Sequence, residues 1–278
     1  MNDLFRLWGQ AELRSPTLIV GWRTDAGKLG GKVADYLNIK LGVESLGEIE
    51  PASFFSLAGV TIQDNLVEFP ESKFYACPQN DLVIFKGDPP NQEWYQYLNL
   101  ILDVVGHYGG IKELYVIGGM ISTAAHTTPR ELIAGFNSPE LKQALSQYNL
   151  GRNLDYETPP GHRPTLNSFL LWVASRRDIP AVALWVPIPL YLVAVEDPRA
   201  QKKVLEFFAQ RFGLRIDFQD INEEIKQQNE RIAQARMVSP EIDECISKLE
   251  SNLTLSAEEN EKLMREIERF LTGKERGL

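Results

Sequence analysis

Asp81-Leu-Val-Ile-Phe-Lys-Gly87, the Asp88-Pro-Pro90 break, the segment from Gln92 to His107 and then Glu113-Leu-Tyr-Val-Ile-Gly-Gly119 together decide the fold class. The first and last pieces are short apolar runs rich in β-branched and aromatic residues and bounded by glycine, the composition of buried strands. Between them Trp94, Tyr97, Leu98, Ile101, Leu102 and Val105 recur three and four positions apart, which gathers them on one side of a helix. Strand, helix, strand in that order predicts a βαβ unit. Such a unit builds a parallel pairing with a right-handed crossover.

Upstream, Thr17-Leu-Ile-Val-Gly21 predicts another buried strand and Trp22–Gly27 a loop. Val33, Tyr36, Leu37 and Leu41 then mark a helix ending near Gly42. Asn65–Pro70 and Ser72–Cys77 predict two strands joined at Pro70. Downstream, Leu166–Ala174 predicts a helix, Ile179–Val186 a buried strand and Pro198–Phe212 a helix with proline in its first turn. The Glu113–Gly119 strand is expected to stop at its two glycines. The alternation predicts an α/β class with a mostly parallel sheet.

The composition changes near Ile221, where Gln, Glu, Arg and Lys take over and Ile221, Ile225, Ile232 and Ala235 keep helical spacing. Ser239-Pro240-Glu241 reads as a cap with proline at the first helical position, Ser256-Ala-Glu-Glu259 as a capping box and Gly273 as a C-cap. The domain expectation is therefore an α/β core over residues 1–220 and a C-terminal helical extension over 221–278. Apolar stripes on those helices must pack on the core or on another chain.

The chain has 278 residues and a net charge of −9, the opposite of the cationic surplus that displaces counterions from phosphate backbones. Nucleic-acid binding and attachment to anionic membranes are thereby disfavoured. Cys77 and Cys245 lack zinc or redox spacing and read as reduced thiols. No apolar run suits a transmembrane helix, and residues 1–13 lack the pattern of a signal peptide, so a cytoplasmic location is expected.

The glycine loops and the histidines hold the residue types that could carry chemistry. Gly21-Trp-Arg-Thr-Asp-Ala-Gly27-Lys28-Leu29 resembles a phosphate-binding P-loop. It has five residues where that loop has four between Gly and Gly-Lys, and Leu29 stands where a magnesium-holding hydroxyl is needed. Its glycines read as a tight strand-to-helix turn, beside which Arg23 and Lys28 can attract an anion. His107 sits at a helix end, His126 in Ile121–Pro129 and His162 in Pro159–Pro164. None of them has further ligands at metal spacing, so no metal and no cofactor are expected. Glu196-Asp197 before Pro198 reads as a helix cap. No residue is assigned a catalytic role. In open α/β sheets sites form beyond the carboxyl ends of strands, which makes Trp22, Arg23, Asp25, Gly27, Gly118, Gly119, His126 and Arg163 the candidate cleft residues.

The motifs taken in order carry a resemblance. Gly21-Trp22 with Asp25-Ala-Gly27 resembles the Gly-Trp-x-Asp-Ala-Gly opening of the second proteasome assembly chaperone family, with one residue inserted. Gly118-Gly-Met120 followed by Ala125-His-Thr-Thr-Pro129 resembles its glycine pair and Pro-His-Thr-Arg-Pro segment, with Ala125 for the proline and Thr128 for the arginine. Thr165–Ser175, Ile179–Trp185, Pro189-Leu-Tyr191 and Pro198 resemble its late helix, strand and Pro-x-Tyr segment. The resemblance covers residues 15–220. It implies a three-layer α/β/α sandwich similar to phosphorylase/hydrolase-like folds, homo-oligomers, and binding to other proteins. Some archaeal relatives engage the proteasome through a hydrophobic-Tyr-x tail, whereas Lys274-Glu-Arg-Gly-Leu278 has no tyrosine. Two readings follow. One is a homo-oligomeric protein-binding or assembly-chaperone-like protein without catalysis. The other is a hydrolase-like enzyme or small-molecule binder with a strand-end cleft around His126 and Arg163.

Overall fold

The structure is a computed structural model that describes residues 4–8, 10–56, 60–63, 65–151, 161–162 and 164–273. It divides into two compact units, each assembled from separated stretches of chain. Unit 1 takes residues 1–24, 30–118 and 133–184, and unit 2 takes 25–29, 119–132 and 185–278. Residues 221–273, expected as a helical extension, lie within unit 2 beside 25–29, 119–132 and 185–220.

Unit 1 carries most of the sheet. Among the described residues its strands are β1 (Phe5–Leu7), β2 (Thr17–Trp22), β3 (Glu44–Ile49), β6 (Ser72–Cys77), β7 (Leu82–Gly87), β8 (Glu113–Ser122), β9 (Ile133–Phe136) and β10 (Ala181–Pro189). They lie in the order β1-β3-β6-β7-β2-β8-β10-β9. The last residues of two of these strands, β8 and β10, belong to unit 2. A separate ribbon holds β4 (Thr61–Gln63) and β5 (Leu66–Glu68). The expected βαβ unit is present, though its two strands are not neighbours: β2 lies between β7 and β8 and is parallel to both. Every residue of β2 is buried, as its unbroken apolar run requires.

Two expectations need correction. The sheet is mixed rather than mostly parallel, because β1–β3, β3–β6 and β6–β7 are antiparallel. The β6–β7 link is a short turn, Pro78–Asn80, closed by Asp81 at φ +52°, too short for a crossover and long enough for a hairpin. The strand β8 does not stop at Gly118-Gly119 but continues through them to Ser122.

The helices α1 (Leu29–Leu41), α2 (Trp94–Gly106), α3 (Pro139–Ala144) and α4 (Leu166–Ser175) accompany the sheet. Their placement follows from side-chain alternation along β2. A Cβ on Gly21 would overlap the carbonyl oxygen of Gly30 in α1 and touch Ala34, so that face of the strand lies under α1. Trp22 points the other way, and its indole N–H donates to Oδ1 of Asn167 on α4 at 2.7 Å. Asn167 Nδ2 in turn donates to the Ile117 carbonyl of β8 at 3.2 Å. The helix α2 runs with α4, where the Tyr95 and Trp172 rings meet at 5.8 Å. Helices thus cover both faces of the sheet in unit 1. Phe74, Phe85, Tyr97 and Ile101 are fully buried there.

Unit 2 is largely helical: α5 (Pro198–Phe212), α6 (Gln219–Val238), α7 (Pro240–Glu250) and α8 (Ala257–Thr272). The predicted caps are in place. Ser239 Oγ accepts from Ile242 N, Ser256 and Glu259 form the capping box, and Gly273 ends α8 at φ +67°. Ile221, Ile232, Ala235, Ile246 and Ile267 are fully buried, so the apolar stripes of these helices pack within the unit. Among the described residues, no helix is long and apolar enough to cross a membrane.

Candidate functional site

The loop that follows β2 supplies residues to both units. In unit 1, Arg23 Nη1 donates to Asp88 Oδ2 at 2.9 Å, with Glu68 and Glu71 carboxylates at 3.8 Å, so its charge is paired. The same Asp88 oxygen accepts the Glu71 backbone N–H at 2.9 Å. Trp22 is held by Asn167, and Gly118 is buried inside β8.

In unit 2, Asp25 Oδ2 accepts the backbone N–H of Gly119 at 3.1 Å. A side chain on Gly119 would overlap the Ala26 carbonyl, so glycine there is a matter of backbone approach. Gly27 has φ +69° and Lys28 φ +52°. The Gly27 N–H donates to the Val193 carbonyl at 2.9 Å and the Lys28 N–H to the Asp25 carbonyl at 3.0 Å. Those N–H groups would have to curl around a phosphate in a P-loop. Here protein carbonyls consume them, which agrees with reading the glycines as a turn. Lys28 instead lines a cavity of about 310 Å³ together with Glu196, Gln228 and Arg231.

His126 is 5% exposed. Its backbone N–H donates to the Tyr191 hydroxyl at 2.5 Å, and its Nδ1 lies 2.8 Å from the same oxygen. One hydroxyl meets both atoms by accepting from the backbone and donating to the ring, which makes Nδ1 the unprotonated nitrogen of a neutral imidazole. Burial pushes the His126 pKa down to about 4; the Arg199, Arg130 and Arg236 charges act the same way and Glu250 opposes them. Burial likewise raises the Tyr191 phenol well above its ordinary range. The pair is neutral at physiological pH and closed off from solvent.

Asp25 and Gly119 are joined, while Arg23 and His126 are each engaged by different partners. Arg163 lies outside the described residues, and His162 is exposed. The tail Lys274–Leu278 also lies outside them.

Sequence reasoning missed Arg130. Its Nε and Nη2 donate to Asp197 Oδ2 at 3.0 and 2.8 Å, and its Nη1 donates to the Thr128 carbonyl at 2.7 Å. Asp197 also performs the expected capping, accepting the Ala200 N–H at 3.0 Å. The cap was legible from Asp-Pro; its arginine, 67 positions away, was not. Among the described residues, no group of three or more His, Cys, Asp or Glu side chains is placed to hold a metal ion.

With this geometry established, comparison with known proteins places the chain. The model of the PAC2 family matches residues 18–236, and the chain belongs to that family. Solved structures agree at the level of fold. A Mycobacterium tuberculosis protein of unknown function has a TM-score of 0.76 at 18% identity, over 98% of this chain and 97% of that one. Pyrococcus furiosus PbaB, described as an archaeal proteasome activator, has a TM-score of 0.69 at 21% identity, over 84% and 98%. Pyrococcus furiosus PbaA, described as an archaeal homolog of proteasome-assembly chaperone, has 0.65 at 19%, over 90% and 98%. Comparison with curated proteins returns no match.

Proposed function

We propose that this PAC2 protein is a cytoplasmic, homo-oligomeric protein-binding subunit of the assembly-chaperone type and that it works without catalysis. The observation that carries the reading is the β4–β5 ribbon. Ile62 and Val67 are direct cross-strand partners and so share one face of it. Both are exposed, at 74% and 53%, and exposed Val60 and Phe69 flank them. An isolated two-stranded ribbon is marginal in water, and one that offers an apolar face gains stability by burying that face against another chain. The resemblance to PbaA and PbaB supports a protein partner. The enclosure of His126 and the pairing of Arg23 weigh against a catalytic cleft built from those side chains.

The test is solution mass by light scattering on the full chain and on Ile62→Lys with Val67→Lys. Expected is a defined oligomer, or a complex with a cellular protein, that the double variant loses while keeping its far-UV circular dichroism. An unmodified chain that stays monomeric and captures no protein would refute the proposal.

A further inference from the structure

We propose that the cavity beside the first two turns of α5 is an anion site that takes a single phosphate group, held by Arg199, Lys202 and Lys203. The cavity, about 200 Å³ and open to solvent, is lined by Arg130, Arg199, Lys202, Lys203, Glu206 and Ile225. Positions 199, 202, 203 and 206 stand three, four and seven apart, so one face of α5 presents all of them. On its opposite side α5 buries Val204, Leu205 and Phe208. A solvated polar face would account for that pattern alone, but three further observations point to a ligand.

First, the face is recessed. Arg130, from a distant stretch of chain, and Ile225 of α6 turn an exposed stripe into a concave space. Second, the charges are not balanced. Asp197 neutralises Arg130, and Glu206 meets Lys202 at 3.5 Å. Among the described residues, the side chains of Arg199 and Lys203 make neither a hydrogen bond nor an ion pair. Two uncompensated cations in one small cavity stand out in a chain of net charge −9. Third, Arg199 Nε is buried with no acceptor. A buried N–H of a charged group left unmade is costly, and a ligand oxygen would satisfy it.

The ligand class follows from these groups. The pocket offers a planar guanidinium and ammonium point charges, the pairing that recognises phosphate oxygens. The helix N-terminus itself is not available, because Asp197 already caps it. The volume of about 200 Å³ admits a phosphate group. His126 provides an independent reporter, since Arg199 and Arg130 are among the charges that depress its pKa. A bound dianion would raise it.

The experiment is calorimetric titration of the full chain with inorganic phosphate at fixed ionic strength, with the Arg199 Nε–H and His126 ring resonances followed by NMR. Expected is saturable binding at one site, a shifted Arg199 Nε–H signal and an upward move of the His126 titration. Arg199→Gln and Lys203→Ala should each weaken binding by about tenfold, the loss of one charge-assisted contact. Lys226→Ala, on α6 and outside the cavity, should leave binding unchanged. If Arg199→Gln fails to fold, the surface change Lys203→Ala carries the test. Glycerol 3-phosphate separates the sources: tighter binding than inorganic phosphate assigns the site to a phosphomonoester, equal or weaker binding to free phosphate. No saturable binding, a response that chloride reproduces, or variants that bind as the parent does would overturn the proposal.

Discussion

Acidification should destabilise this protein through His126, and the size of the effect follows from its burial. The imidazole is neutral in the folded state, with a pKa of about 4 against an ordinary value near 6.5. The unfolded chain therefore binds a proton between those values while the folded chain does not. Its contribution is fully present above pH 6.5 and is lost as pH falls toward 4. The full loss is about 3 kcal/mol, of which about 2 kcal/mol is reached by pH 5. The perturbation is His126→Gln, which cannot titrate. At pH 7 the variant should be less stable by about 1 kcal/mol, because its contact with the Tyr191 hydroxyl is weakened. Below about pH 5.5 the order should reverse, since only the parent pays the protonation cost. Urea unfolding followed by far-UV circular dichroism at several pH values gives the two curves. Their difference removes the carboxylates that titrate in both proteins. Parallel curves, or an NMR titration of His126 centred near 6.5, would refute the reasoning.

Two further outcomes are expected. Asp197→Asn keeps the cap on α5 but leaves the Arg130 guanidinium buried without its carboxylate, and should cost about 3–5 kcal/mol in urea unfolding, with Asp197→Ala costing about 1 kcal/mol more. Gly21→Ala places a methyl group against the Gly30 carbonyl and should cost about 1–3 kcal/mol by forcing α1 away from β2, measurable as a lowered thermal midpoint.

The sequence made the apolar elements legible, and the reasons are local. The runs that became β2, β7 and β8 are continuous and β-branched, the α2 stripe is strongly periodic, and the caps on α5, α7 and α8 are written in adjacent residues. What escaped was less apolar or non-local. Glu44-Ser-Leu-Gly-Glu-Ile49 carries two glutamates and a glycine, yet it forms β3 because antiparallel partners on both sides take up its backbone. Gly118-Gly119 reads as a stop, whereas the strand persists because Gly119 lets the Ala26 backbone come close. At the candidate site, the residue types were found but not their companions. Tyr191 is 65 positions from His126, and Asp25 binds a main-chain N–H 94 positions away, which no spacing rule anticipates. The basic face of α5 was readable at helical spacing; the cavity it shares with Arg130 was not.

The central place of β2 bears on how the chain is made. Its first residue pairs with Leu82 on one side and Glu113 on the other. At about 5–20 residues per second of synthesis, this apolar strand leaves the ribosome several seconds before either neighbour exists. Residues 25–29 and 119–132 wait longer still, since their unit is completed only by the stretch from 185 onward. The centre of the sheet therefore forms only once β8 has been made, and unit 2 only once the stretch from 185 onward has been made. During that interval the nascent chain carries a largely apolar, unpaired strand, the kind of segment that holdase chaperones shield.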